Sequence, residues 1–227
     1  MTNLLQLLDY SLVNKTYPIS LDEQKLIDDY PTYLNDDWDK SRFDNLKSNM
    51  RKHYGRRVNR KCSYCRMTVN PDAYGNAIEH IVPRILKPQW MFVQNNLSIS
   101  CIGCNSTKGV KNTLVNHPNN YGHSSNYCPS STEEYKIFNP HFDKWSDHFT
   151  IEDNFFLVPI PNTKGPYTYK LCGMWRYQIV LDYIDVLKIR EKSYRSLTLR
   201  LRKEKREFMK RQLENAMESI KDLIENN

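Results

Sequence analysis

The chain has 227 residues, with 33 Lys and Arg against 26 Asp and Glu, and a formal net charge of +7. Its 7 glycines and 15 tyrosines argue against a linker-rich chain and indicate one or two ordered domains. The basic charge suits a polyanionic partner. No apolar run is long enough to span a bilayer, and residues 1–9 do not resemble a signal peptide, so we expect a cytoplasmic protein with no membrane partner.

Residues 1–57 form a predicted helical N-terminal region. Leu4–Leu8 and Leu21–Ile27 are helix-like segments, and Phe43, Leu46 and Met50 recur at spacings of three and four, which predicts an amphipathic helix. The end of that helix is basic, through Lys47, Arg51, Lys52, Arg56 and Arg57. This charge suits DNA contact, and a solvated helix face explains it about as well.

Two Cys-x-x-Cys pairs follow, Cys62–Cys65 and Cys101–Cys104. Two thiols separated by two residues can reach one ion from a tight turn, and two such pairs complete the four-thiolate shell of a structural zinc site. Two disulfides are the disfavoured alternative, because they belong to secreted domains. Cys128 and Cys172 stand apart; a disulfide between them is open, but isolated small hydrophobic residues are the favoured interpretation.

A short buried strand is predicted between the two pairs. Ile78, Ile81 and Val82 are its apolar residues, and Pro83 ends it. His80 lies in this strand, where a lone His is usually a satisfied core side chain.

Oxygen-bearing residues accompany His80. Glu79 and Asn105 offer ligands for a hard cation, and Asn96 can orient an imidazole through a hydrogen bond. Because Asn105 adjoins Cys104 and Asn96 precedes Cys101 by five residues, a zinc clamp brings these residues together.

This pattern resembles the HNH endonuclease motif in its four-cysteine zinc subtype, over residues 58–115. His80, Asn96 and Asn105 match the motif's three named positions, and Cys104–Gly109 is similar to its C-N-x-x-K-G ending. Many relatives have Asp where this chain has Glu79. The resemblance implies an α+β fold: a zinc-stapled ββα-metal core flanked by helices, with a small β segment and a long C-terminal helix.

The resemblance also implies a mechanism for DNA cleavage. His80 takes a proton from water, Glu79 and Asn105 hold a catalytic Mg²⁺ or Mn²⁺, and Asn96 fixes the His80 ring. Arg84 and Lys108 are predicted to hold flanking phosphates. For Lys87 a solvated surface charge is favoured.

Residues 116–134 are a predicted polar loop, whose His117 and His123 are taken as incidental, and residues 135–175 a small β-containing segment. Its predicted strands are residues 155–158 and 167–171, separated by a turn at 161–166. A metal cluster is conceivable here, but a surface turn whose Phe142, Trp145 and Phe149 pack inward is favoured. The side chains of that conceivable cluster are His141, Asp143, Asp147 and His148.

Residues 176–227 contain no Gly or Pro and are predicted to be helical. Residues 188–211 carry 11 Lys and Arg against 3 acids, a net +8, and Arg200, Arg202 and Lys203 are predicted DNA contacts. An a/d-like seam suits either the chain's own core or a partner helix. Its members are Met209, Leu213, Ala216, Ile220 and Leu223.

The predicted function is metal-dependent DNA cleavage. Residues 135–175 bear a looser resemblance to bacterial HNH proteins that include the nuclease subunits of Septu-type antiphage systems, which act beside an ATPase. A role in antiphage defence and an ATPase partner are therefore expected. Two alternatives stay open: an effector active only with that ATPase, and a zinc-knuckle module that binds nucleic acid without catalysis.

Overall fold

The computed structural model describes residues 12, 15–29, 33–69, 77–121, 127–152 and 156–176, with 198, 199, 201, 210, 211, 213–215, 217 and 218. Outside the last group, four α-helices and four strands are assigned in the described residues, which confirms the predicted α+β class. The helices are α1 Leu21–Asp28, α2 Asp44–Arg57, α3 Ile102–Lys108 and α4 Gly165–Leu171. The strands are β1 Ala77–His80, β2 Leu97–Ser100, β3 Phe149–Glu152 and β4 Phe156–Pro159. None of the described helices is long and apolar enough to cross a membrane.

Two predicted helices of the N-terminal region are confirmed. Helix α1 begins at a capping box, in which Ser20 Oγ accepts from the Glu23 amide at 3.2 Å and Glu23 accepts from the Ser20 amide at 3.0 Å. Helix α2 contacts β1 and β2, and its residues Leu46 and Met50 are buried, as is Phe43 just before it. The segment Leu4–Leu8 lies outside the described residues.

The centre of the fold is the antiparallel pair β1–β2, followed directly by α3. Ala77 pairs with Ser100 and His80 with Leu97. The predicted strand is confirmed as far as His80, where the ladder ends; Ile81 and Val82 follow it, still buried. His80 is therefore the last residue of β1, and α3 begins shortly after the end of β2.

The second sheet pairs β3 with β4, and it corrects one predicted strand. The strand predicted at 155–158 is confirmed as β4, whereas residues 167–171 lie in α4. The side chain of Thr168 explains the helix: its hydroxyl donates to Lys164 O at 2.8 Å and accepts from the Phe138 amide at 2.8 Å. Pro166, in the first turn, has a φ suited to helix initiation. These tertiary contacts outweigh the strand propensity of the Tyr and Thr residues.

The turn at 138–149 is more buried than predicted. Trp145 and Phe149 pack inward as expected, but Asp143 is only 5% exposed. Its carboxylate pairs with Lys164 at 2.8 Å and accepts from the Asn139 amide at 2.7 Å. The favoured surface turn, whose polar residues were expected to cap a helix or strand, is therefore wrong about the exposure of Asp143. That carboxylate pairs with Lys164, the N-cap of α4, and Asp147 is exposed as predicted. In the described part of the chain, no group of metal ligands includes His141, Asp143, Asp147 or His148.

His141 makes the fold sensitive to acid. Its Nε2 donates to Leu97 O at 2.8 Å, and burial lowers its pKa to about 4. The unfolded ring titrates near 6.5, so its stabilisation is complete above about pH 6.5 and is lost as the pH falls toward 4. The His141→Gln variant keeps a hydrogen-bond donor and cannot titrate. Between pH 7.5 and pH 5 we expect its free energy of unfolding to fall by about 2 kcal/mol less than that of the wild type. Urea unfolding at both pH values measures this; equal losses would contradict it.

The other predictions fall partly outside the described residues. Arg200, Arg202, Lys203, His123, Met209, Ala216, Ile220 and Leu223 lie outside them. Of the C-terminal region, the described residues from 198 onward are helical, and Leu213 is buried. His117 is exposed in the polar loop, where residues Pro118–Tyr121 and Thr132–Glu134 form short 3-10 helices. Cys128 and Cys172 are buried free thiols, as favoured.

Candidate metal centre and adjoining cleft

The first cysteine pair lies on a tight turn between Lys61 and Thr68, which form an isolated bridge. The Cys62 amide donates to Met67 O at 2.9 Å, and Arg66 completes the turn with a φ of +62°. The second pair begins α3: Cys101 is its N-cap, and the Cys101 sulfur accepts from the Cys104 amide at 3.4 Å. Local hydrogen bonds thus fix the backbone around each cysteine pair and hold its two thiols in place.

The two pairs meet in one four-thiol cluster. All four Sγ atoms lie within 4.8 Å of one another, and the Cys65 and Cys101 sulfurs are 3.8 Å apart. A tetrahedron with Zn–S bonds of ~2.3 Å has edges of about 3.8 Å. The cysteines are free, so the disulfide alternative is excluded, and they are positioned to bind a metal ion such as zinc.

Proton binding at the four thiols competes with the binding of a cation. Burial raises the pKa of Cys65 well above its ordinary value, and hydrogen bonds from the neighbouring thiols raise the pKa of Cys104. Without a cation the cluster holds its protons, whereas zinc binds thiolates and releases those protons. Metal affinity at this cluster should therefore rise with pH.

The turn that carries the first cysteine pair is connected to β1 through a buried ionic network. The Tyr64 hydroxyl donates to Glu79 Oε1 at 3.1 Å, and Lys108 Nζ lies 2.9 Å from the same oxygen. Lys108 Nζ also donates to His80 O at 3.0 Å. Both charged side chains are at most 2% exposed. Burial raises the pKa of Glu79, and the Lys108 ammonium opposes that rise.

His80 is held in one orientation and one tautomer. Its Nε2 lies 3.1 Å from Met91 O, and its ring lies 4.4 Å from that of Trp38 in an edge-on contact. A carbonyl only accepts, so Nε2 carries the proton. Burial lowers the pKa of His80 to about 3, against the opposing hydrogen bond to Met91. The neutral ring therefore has its available lone pair on Nδ1.

Asn96 was expected to orient the His80 ring by a hydrogen bond, but its amide has other partners. Its Oδ1 accepts from the Val82 amide at 2.7 Å, and its Nδ2 donates to the carbonyls of Val82 and Trp90, each at 3.2 Å. Because Trp90 precedes Met91, Asn96 holds the segment that carries the His80 partner. Asn96 therefore acts on the His80 ring indirectly, through the backbone of Trp90 and Met91.

His80 opens on a cleft with a cavity volume of about 510 Å³. Five of the predicted site residues line it: Glu79, His80, Arg84, Asn105 and Lys108. Asn96 is not among the lining residues. The side-chain amide of Asn105 makes no hydrogen bond to another described residue. The residues predicted from distant parts of the sequence thus border one space.

The two cations predicted to hold phosphates have partners within the chain. Lys108 is committed to Glu79 and His80 O, as above. Both terminal nitrogens of Arg84 lie 3.2 Å from Asp39 Oδ2, and its Nη1 also donates to Asn35 O. The prediction that Lys87 is a solvated surface charge is wrong. Lys87 is 4% exposed, and its ammonium lies 5.4 Å from the centre of the Trp90 ring.

The cleft has oxygen-bearing side chains that are candidate ligands for a second cation. Both contacts of the Glu79 carboxylate go to Oε1, which leaves Oε2 with no protein donor among the described residues. Glu79 and Asn105 would hold such an ion, and oxygen ligands suit Mg²⁺ or Mn²⁺. The adjacent Lys108 ammonium weakens cation binding by charge repulsion.

The sequence interpretation missed Trp38, Asp39, Tyr64 and Met91. Tyr64 lies inside the first Cys-x-x-Cys turn, a position that places it beside β1 once the cluster forms. Nothing in the sequence marks Trp38, Asp39 or Met91, because their roles come from contacts between distant segments. Comparisons with protein-family models, with curated proteins and with solved structures gave no match.

Proposed function

We propose that this cleft hydrolyses DNA phosphodiester bonds in the manner of the HNH endonucleases that residues 58–115 resemble. The observation that carries the proposal is the state of His80: neutral, with Nε2 donating to Met91 O and Nδ1 available as a base, in a cleft it shares with Glu79 and Asn105. In this proposal the four-cysteine cluster holds a structural zinc ion.

The chemistry assigned to His80 is water activation. Nδ1 takes a proton from a water molecule as its oxygen forms a bond to phosphorus. The bond from phosphorus to the 3′ oxygen breaks, and that oxygen gains a proton from solvent, which leaves 5′-phosphate and 3′-hydroxyl ends. A divalent cation, when bound by Glu79 and Asn105, neutralises charge on the scissile phosphate and the leaving oxygen.

Fixed groups around His80 support this role. The Met91 carbonyl determines which nitrogen is the base, and the Trp38 ring excludes water from one side of the imidazole. Lys108 fixes the His80 carbonyl and the Glu79 carboxylate at once, so the base and a cation ligand share one support. Such support matters because a displacement of the base by about 1 Å can slow a reaction about 100-fold.

The polyanionic character of the proposed substrate is supported by charge. Arg51 and Arg84 line the cleft, and residues 188–211 carry a net charge of +8. DNA as the substrate, the antiphage role and the ATPase partner come from the resemblance alone and stay predictions.

A second candidate is a nucleic-acid-binding module without catalysis. The ion pair of Glu79 with Lys108 favours it, because the ammonium already neutralises the carboxylate assigned to the catalytic ion. The two candidates differ in whether the protein cuts DNA.

Incubation of the zinc-loaded full chain with supercoiled plasmid tests the proposal. We expect nicking that requires added Mg²⁺ or Mn²⁺, with nicks that DNA ligase can seal because they carry 5′-phosphate and 3′-hydroxyl ends. DNA binding without cutting, with either ion present, would contradict cleavage by the chain alone and would leave the second candidate and an effector that needs its ATPase partner.

A further inference from the structure

One wall of the cleft is the short 3-10 helix Asn35–Asp39. Its start is fixed by Asp37, whose carboxylate accepts from the Leu34 amide at 2.6 Å and pairs with Lys40 at 2.7 Å. Trp38 and Asp39 from this helix line the cleft, beside His80 and Arg84 respectively. The helix therefore meets both the proposed base and a cation predicted to bind phosphate.

Arg84 forms an ion pair with Asp39 through a single carboxylate oxygen. Nη1 and Nη2 both reach Asp39 Oδ2 at 3.2 Å, and the Asn35 carbonyl accepts from Nη1. A phosphodiester offers the same guanidinium two anionic oxygens, which form charge-assisted hydrogen bonds. The Asp39 carboxylate is thus an anionic oxygen group, like a phosphodiester, and it already forms an ion pair with Arg84 at the cleft wall.

The exposure of the pair makes an exchange of partners feasible. The Asp39 side chain is 66% exposed and that of Arg84 is 26% exposed. An exposed ion pair contributes only about 0.2–1 kcal/mol, so a second anion can displace the carboxylate. The buried Asp143–Lys164 pair, at 3% and 16% exposure, could not be exchanged at a similarly low cost.

We propose that Asp39 is an internal stand-in for a substrate phosphate, and that DNA binding exchanges its carboxylate on Arg84 for a phosphodiester. The identity of the anion rests on the proposed function, whereas the exchange itself rests on the Arg84 geometry. Asp39 then opposes DNA binding twice, because it occupies Arg84 in the free protein and repels the phosphate that replaces it.

Binding of a fluorescein-labelled 20-base-pair duplex, at one fixed salt concentration, tests the exchange. The full-length protein carries His80→Ala so that the duplex is not cut. We expect Asp39→Asn to tighten binding about 5-fold, the upper range for release of an exposed ion pair. Asp36→Asn is the matched control: it removes the same charge from the same helix, but Asp36 contacts Asn35 rather than Arg84. We expect it to change binding less than about 2-fold.

The role of Arg84 is tested by the same substitutions in an Arg84→Gln background. With no guanidinium to release, Asp39→Asn should then have no larger effect than Asp36→Asn. Equal gains from the two substitutions with Arg84 present would overturn the exchange. A gain from Asp39→Asn that stays larger than the gain from Asp36→Asn in the Arg84→Gln background, or no DNA binding by any variant, would also overturn it.

Failure of the exchange and failure of the nuclease proposal are distinguishable. A protein that binds DNA with the expected pattern but never cuts plasmid keeps the exchange and loses the nuclease. A protein that cuts plasmid but shows equal effects of Asp39→Asn and Asp36→Asn keeps the nuclease and loses the exchange.

Discussion

Cys104→Ser should remove zinc from the protein and unfold the region around the knuckles. Structural zinc contributes about 10–16 kcal/mol of apparent binding free energy, which is comparable to or larger than the whole stability of a typical domain. All four Sγ atoms lie within 4.8 Å of one another and Cys104 is fully buried, so a hydroxyl at position 104 would leave a bound ion without one of its four thiolates. By elemental analysis we expect about one zinc per chain in the wild type and much less zinc in the variant. The variant should also lose its cooperative thermal unfolding transition.

Cys128→Ser is the matched control for that substitution. Cys128 is a buried free thiol outside the cluster, with its sulfur 3.8 Å from the Tyr135 hydroxyl. It should keep its zinc and lose only about 1–2 kcal/mol of stability. A Cys104→Ser protein that melts like the Cys128→Ser protein would refute the structural role of the cluster.

Lys108→Met should destabilise the protein by about 3–5 kcal/mol, because it leaves the buried Glu79 carboxylate without its counter-charge. The Lys108 ammonium contacts Glu79 Oε1 at 2.9 Å and His80 O at 3.0 Å, so the substitution also leaves a buried carbonyl without its donor. Urea unfolding at pH 7.5 measures the loss.

Two further variants isolate the contribution of the pair. Lys111→Met removes an exposed ammonium that contacts only the Thr107 carbonyl among the described residues, and it should cost less than about 0.5 kcal/mol. Adding Glu79→Gln to Lys108→Met should restore part of the lost stability, since no buried charge remains. A Lys108→Met protein as stable as the Lys111→Met protein would show that the two charges do not support the fold.

The parts predicted correctly from the sequence are those that local spacing determines. Two Cys-x-x-Cys pairs can meet at one ion whatever lies between them, and the structure has their thiols together. The spacing of Phe43, Leu46 and Met50 predicts the helix that begins at Asp44, and the apolar residues around Ile78 predict the strand β1. The second cysteine pair joins β2 to α3, and β1 pairs with β2, so His80 and Asn105 border one cleft.

What the sequence could not supply is the partner of each polar group. Nothing local distinguishes a Lys108 that meets a phosphate from one that meets Glu79, since the choice depends on the depth at which α3 packs. The Asn96 amide and the His80 ring find their partners in a segment whose path no motif sets. The helix at Tyr167–Leu171 was missed for a related reason: its support, from Phe138, is distant in sequence.

Plasmid cleavage by wild-type and His80→Ala proteins of equal zinc content tests most directly whether His80 activates water. Loss of a general base lowers the rate by about 10²–10⁴-fold. We expect a loss of that size for His80→Ala with Mg²⁺ or Mn²⁺, and none for His117→Ala, which removes an exposed imidazole from the polar loop. Cleavage by the His80→Ala protein at the wild-type rate, or no cleavage by the wild type, would contradict the assignment.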